Sequence, residues 1–294
     1  MTRWLITGAG GMLGRDLAEV LSVRGAGTVT ALTRQKLDIT DAAAVRAAVA
    51  GHDVVVNAAA WTDVDGAESE EAAATRINGE GPRVLAEVCA DSAAVLIQVS
   101  TDYVFPGNAA EPYPHDAPAS PVNAYGRGKL VGERAVTELL PERGYVVRTA
   151  WLYGAHGRNF VATMLNLAGR RETVDVVDDQ RGQPTWTVAL ARQIAELGEA
   201  AMAGGAPAGV YHGTASGTGT WFDLARAAFE LTGLDPERVR PTTSEKFVRP
   251  APRPAYSVLA HDRWAEAGVA IQPHWRDQLS EALKMIVPGE RTSA

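Results

Sequence analysis

The chain reads as α/β, a doubly wound parallel sheet with a smaller mixed α/β C-terminal substrate domain. Three observations predict this. Short apolar or β-branched runs alternate with longer helical patterns through the first half. Those runs are nearly continuous in hydrophobicity, as in parallel strands covered on both faces. A glycine-rich turn also joins the first strand to the first helix.

The elements follow in order. Trp4 to Thr7 is the first strand and Met12 to Arg24 the first helix. Val29 to Leu32 is the second strand, followed by a helix from Asp41 to Ala50 with Asp41 near its N-cap. Asp53 to Asn57 is the third strand. A helix from about Glu68 to Ile77 then continues in a second piece to Ala90. Val95 to Val99 is the fourth strand, Asn123 to Leu140 the helix after Pro121, and Tyr145 to Arg148 the fifth strand. In the second half, Phe160 to Gly169, Val188 to Met202 and Trp221 to Thr232 read as helices, and Val210 to His212 as a strand. A proline-rich stretch from Arg249 to Pro254 precedes a short final helical region. The expected division is 1–155 with 185–215 as the dinucleotide-binding domain, and 156–184 with 216–294 as the substrate-binding domain.

Composition limits the function classes. The 294 residues are 46% hydrophobic, enough for a large core, and carry a net charge of −7 without blocks of like charge. Nucleic acid is therefore not an expected partner. Cys89 is the single cysteine, so neither a disulfide framework nor a cysteine-based metal site is available. No apolar run approaches the roughly 20 residues of a spanning helix. The N-terminus enters a strand without a leader pattern, so no membrane partner and a cytoplasmic location are expected.

Gly8-Ala9-Gly10-Gly11-Met12-Leu13-Gly14 follows the first strand and opens the first helix. Gly8 permits the tight turn, Gly11 the approach of a pyrophosphate, and Gly14 the close packing of helix on strand. Free N–H groups and the positive end of the helix dipole then face the phosphates. No acid ends the second strand, where Thr33 and Arg34 stand instead. That pair favours an adenosine 2′-phosphate and hence NADPH, with NADH the alternative. Asn57-Ala58-Ala59-Ala60 ends the third strand with small side chains that leave room for a flat cofactor.

Tyr125-Gly-Arg-Gly-Lys129 places a phenol and an ammonium one turn apart on one helix face. An ammonium beside a phenol favours the phenolate and is expected to lower its pKa from ~10. Ser100-Thr101-Asp102-Tyr103-Val104-Phe105 leaves the fourth strand at its carboxyl end, where open α/β sheets bind ligands. A Thr101 hydroxyl there can donate to a carbonyl oxygen as charge develops on it. Tyr125 would supply the proton, and Lys129 would tune Tyr125 and hold the nicotinamide ribose. The implied chemistry is hydride transfer at a carbonyl carbon.

On these residues the chain resembles the extended short-chain dehydrogenase/reductases, and within them the dTDP-4-dehydrorhamnose reductase family. Leu37 to Asp41, Asn57 to Asp65, Arg148 to Gly154, Arg158 to Val161 and Arg253 to Ser257 extend the match over nearly the whole length. The resemblance implies a Rossmann domain and reduction of the 4-keto group of a dTDP-6-deoxy-L-hexulose, giving dTDP-L-rhamnose or a streptose-type relative. It implies that Gly11, Met12 and Leu13 touch the pyrophosphate, that Asp38 and Ile39 flank the adenine, and that Ala58, Ala59 and Ala60 line the nicotinamide side. Thr101, Asp102, Trp151 and Asn159 would contact the dTDP-sugar. Some relatives bind Mg²⁺ between subunits, but no ligands for it are assigned in this sequence, and a homodimer is left open. Trp61, Ala150 and Tyr256 stand where the family usually has tyrosine, serine and a smaller polar residue.

Two other readings share this pattern. A nucleotide-sugar 4,6-dehydratase or epimerase would usually carry Glu after Asp102, where this chain has Tyr103. A non-catalytic regulatory subunit, like the β subunit of methionine adenosyltransferase, need not retain Thr101, Tyr125 and Lys129. The six histidines show no metal spacing, and Asp178, Asp179 and Glu245 read as solvated. Trp221, Trp264 and Trp275 read as packing of the second domain, with an aromatic shelf for a thymine base as the lesser alternative, and Arg181 as a candidate partner for a pyrophosphate.

Overall fold

The computed structural model describes residues 1–286. Five strands of the first half, β1 (Thr2–Thr7), β2 (Gly27–Leu32), β3 (Val54–Asn57), β4 (Val95–Thr101) and β5 (Gly144–Thr149), form a parallel sheet. Gly209–His212 adds to β5, giving the order 209–212, β5, β4, β3, β1, β2. The helices are α1 (Met12–Val23), α2 (Ala42–Val49), α3 (Val64–Ser69), α4 (Glu71–Thr75), α5 (Gly81–Ser92), α6 (Ala124–Leu139), α7 (Phe160–Ala168), α8 (Thr187–Met202), α9 (Trp221–Leu231) and α10 (Trp275–Ile286).

Alternation along the strands divides the core. Trp4 and Ile6 pack on one face with Leu17 and Leu21 of α1 and Ile194 of α8. Leu5 points to the other face, with Val45 of α2, Leu85 of α5 and Val136 of α6. Period-2 side-chain direction makes a strand buried on both faces read as one apolar run. Smaller clusters join α7, α9 and α10, around residues such as Val161, Leu224 and Leu279, and the parallel pair Val174–Val177 with Val239–Thr242.

Two segments differ from expectation. The helix expected from Glu68 breaks at Glu70, between α3 and α4, and becomes a π-helical turn over Arg76–Glu80 before α5. In that turn the Asn78 amide exchanges hydrogen bonds with the Trp61 backbone, at 2.9 Å from Trp61 N and 3.0 Å to its carbonyl. Trp264 belongs to the first core rather than the second domain: it is fully buried beside Tyr211 and donates to the His212 carbonyl at 2.7 Å. No described helix is long and apolar enough to cross a membrane.

Candidate active site

A cavity of about 850 Å³ opens at the carboxyl ends of β1, β3, β4 and β5. Gly8, Gly10, Gly11, Met12, Leu13 and Gly14 line one end, with Arg34, Asp38 and Ile39 beside them. Ala58, Ala59 and Ala60 line its middle. Thr101, Asp102, Tyr125, Lys129 and Trp151 line the rest. Residues separated by more than a hundred positions thus share one wall because parallel strands deliver their ends to one edge.

The glycine turn packs too closely on neighbouring backbone to admit side chains at Gly8 and Gly14. Gly8 has φ +68°, and a Cβ on it would lie 2.5 Å from the Ala59 nitrogen. A Cβ on Gly14 would lie 2.4 Å from the Gly8 carbonyl oxygen. Helix α1 starts at Gly11 with no side-chain cap, so its first N–H groups are left for a ligand in the cavity. This geometry fits a dinucleotide pyrophosphate. Arg34 is exposed on the cavity wall. The Asp38 carboxylate accepts from the Thr40 N–H at 2.9 Å and its hydroxyl at 2.8 Å, which hold its pKa below the usual range.

The reactive end is built on α6, which Asn123 caps by accepting from the Gly126 N–H at 2.8 Å. Tyr125, Lys129 and Glu133 follow at four-residue spacing along one face of α6. Lys129 is 4% exposed and donates to the Val99 carbonyl at 2.6 Å; burial lowers its pKa to about 8 against the opposing pull of Glu133. The expected lowering of the Tyr125 pKa does not occur. Burial raises it, Asp102 adds to the rise, and a hydrogen bond with Thr101 only partly opposes it. Loss of water penalises phenolate more than a lysine engaged on a carbonyl can offset. Tyr125 therefore stays protonated near neutrality, as a proton donor should.

Thr101 donates to the Asp102 carboxylate at 3.0 Å and accepts from the Tyr103 N–H at 3.1 Å. Asp102 is 2% exposed, one carboxylate oxygen has no hydrogen-bond partner, and burial raises its pKa to about 6. Behind these groups lies a buried ionic node. Glu133 accepts from Arg148 at 2.7 and 3.0 Å and from the Ser100 hydroxyl at 2.5 Å. It ties α6 to the strands that deliver Thr101 and Trp151.

The substrate-side expectations divide. Trp151 lines the cavity, as do Trp61 and Ala150. Asn159, expected as a substrate contact, is not among the lining residues. Its amide donates to the Gly154 carbonyl at 2.9 Å and accepts from the Ala162 N–H at 3.0 Å, capping α7. Arg181 lies outside the lining, 3.4 Å from the Thr218 hydroxyl. Asp178 and Asp179 are engaged rather than simply solvated: they accept from the hydroxyls of Thr220 at 2.6 Å and Ser244 at 2.7 Å.

Sequence reasoning missed Trp221 and Glu133. Trp221, read first as packing and only second as an aromatic shelf, lines the cavity and stacks on Trp151. Glu133 had a readable signal, its place two turns beyond Tyr125 on the same face. One cluster with metal-ligand atoms occurs among the described residues: Asp16, Glu19 and His156, brought within 4.8 Å of one another. An imidazole in the set departs from the all-oxygen shell Mg²⁺ takes, and the reaction considered below routes no step through a metal.

The family model described as the RmlD substrate binding domain matches residues 2–287. A dTDP-4-dehydrorhamnose reductase of Streptomyces griseus is 58% identical, covering 98% of each chain. A dTDP-4-keto-6-deoxy-D-glucose reductase of Streptomyces niveus is 53% identical, covering 97% of each. The crystal structure of a dTDP-4-dehydrorhamnose reductase from Bacillus anthracis in complex with NADP is 35% identical, with a TM-score of 0.90 over 96% of this chain and 99% of that one. With its glycine cradle and its threonine, tyrosine and lysine gathered in one cavity, the chain belongs to the RmlD substrate-binding-domain family of extended short-chain dehydrogenase/reductases.

Proposed function

We propose that the protein is an oxidoreductase that reduces the 4-keto group of a dTDP-6-deoxy-L-hexulose with NADPH, converting dTDP-4-dehydrorhamnose to dTDP-L-rhamnose. The single observation that carries this reading is the convergence of Thr101, Tyr125 and Lys129 on the cavity that begins at the glycine cradle. Bound NADPH supplies the hydride. The residues supply the rest. The Gly11, Met12 and Leu13 backbone holds the pyrophosphate, Asp38 and Ile39 flank the adenine, and Arg34 meets the 2′-phosphate. Ala58, Ala59 and Ala60 admit the flat ring. The Thr101 hydroxyl would turn from Asp102 to donate to the developing alkoxide while Tyr125 gives its proton, and Lys129 would hold the ribose. Residues 1–155 with 185–215 form the dinucleotide half, and 156–184 with 216–294 the substrate half, apart from the segment around Trp264 that packs on the first core. A homodimer is proposed, with light scattering as its test.

The test is NADPH oxidation with enzymatically generated dTDP-4-dehydrorhamnose, comparing wild type with Tyr125→Phe. Wild-type turnover with a loss of at least about 100-fold in the variant is expected. Full turnover by Tyr125→Phe would remove the proposed donor. Recovery of tightly bound NAD with the purified protein would favour a dehydratase or epimerase instead.

A further inference from the structure

Trp151 is one of only two non-glycine residues with positive φ among those described, at +48°. A bulky residue in this region is strained, and such strain persists only where the surroundings over-determine it. Here they do. The Trp221 indole lies flat on Trp151, with ring centroids 3.7 Å apart and planes 8° from parallel. Against the Trp151 ring lies Gly182, where a Cβ would come within 2.7 Å of the ring carbons. Only a residue without a side chain lets the backbone approach the indole so closely.

Trp221 is itself held. It opens α9 inside the capping box formed by Thr220 and Asp223, its ring N–H donates to Gln180 at 3.1 Å, and Phe160 packs on it at 4.7 Å between ring centroids. The polar edge of Trp221 is thus spent on Gln180. Both indoles line the cavity that also holds Tyr125.

We propose that Trp221 and Gly182 are positioning residues that hold the Trp151 indole as one fixed wall of the sugar end of the cavity. Through it they set the affinity for, and the selectivity among, dTDP-4-keto-6-deoxyhexoses. The inference rests on the reductase reading above and names what decides its substrate. A fixed aromatic wall discriminates by shape: it admits the sugars whose ring and methyl group fit against it and excludes those that clash with it.

The experiment compares wild type, Trp221→Ala, Trp221→Phe and Gly182→Ala. For each, the KM for dTDP-4-dehydrorhamnose and kcat are measured, together with NADPH affinity by cofactor fluorescence. Circular dichroism reports the exciton couplet expected of two indoles stacked this closely. Trp221→Ala should lose the couplet and raise the sugar KM at least tenfold, with NADPH affinity within about twofold of wild type. Trp221→Phe, which keeps a flat ring, should recover most of the sugar affinity. Gly182→Ala should raise the same KM by displacing the Trp151 ring, and it carries the test if Trp221→Ala does not fold. Sugar KM within twofold of wild type in both alanine variants, with the couplet lost or altered, overturns the clamp while leaving the reductase reading intact. No turnover of any dTDP-4-keto sugar by the wild type overturns that reading and the clamp with it.

Discussion

The Lys129 ammonium donates to the Val99 carbonyl at 2.6 Å, two residues before Thr101 on the same strand. That carbonyl also accepts from Gln98, the last member of a buried chain running from Thr7 through Asn57. The lysine is therefore seated by the sheet itself. Burial brings its pKa down to about 8, so the charge it lends to the site is lost just above neutrality.

A pH profile follows. Tyr125 is raised and stays protonated over this range, so the alkaline limb belongs to Lys129. Below pH 8 the ammonium predominates and turnover should be level. Above it kcat/KM should fall about tenfold per unit. Steady-state rates between pH 6 and 10 check this, and a profile flat to pH 9.5 would sink it.

Asp102 gives a stability signature of its own. Its folded-state pKa of about 6 exceeds the ordinary 3.8, so the folded protein binds the extra proton. Its contribution is fully present below pH 3.8 and lost as pH rises through 6. At pH 7 the buried carboxylate costs roughly 2–3 kcal/mol. Asp102→Asn should accordingly raise Tm by several degrees at pH 7, with a smaller gain at pH 5. An equal gain at both pH values would refute the assignment.

The pair of Glu133 and Arg148 should behave as a buried ion pair, with side chains 4% and 6% exposed. Removing one partner strands the other charge away from water. Arg148→Met is expected to destabilise by about 3–5 kcal/mol, measured by urea denaturation. A change below about 1 kcal/mol would mean that the node is not closed in solution.

Arg34 should govern the choice of cofactor. Arg34→Ala is expected to weaken NADPH about tenfold or more while changing NADH little, since only the former carries a 2′-phosphate. Fluorescence titration with both cofactors decides it. Equal losses for both would assign Arg34 a general structural role.

Local signals made much of this protein legible from its residues alone. Parallel strands buried on both faces announce themselves as apolar runs, and Gly8, Gly11 and Gly14 as a phosphate turn, because both are properties of neighbouring residues. The cap of α2, Asp41, is equally local. The short strand pairs of the second half were not legible, since most are only two residues long and owe their pairing to distant partners. Asn159 shows the same dependence, because the structure uses its amide to cap α7, a role that a local reading does not separate from a sugar contact.

What the sequence determined by itself was the sheet, the cradle and the spacing of Tyr125 and Lys129 on one helix face. Tertiary structure alone decided the charge state and surroundings of those groups. Burial raised Tyr125 and lowered Lys129, Glu133 met Arg148, and Trp221 crossed 70 positions to stack on Trp151. The reason is physical: desolvation and side-chain contact depend on which distant segments exclude water from a site, and no local pattern encodes that.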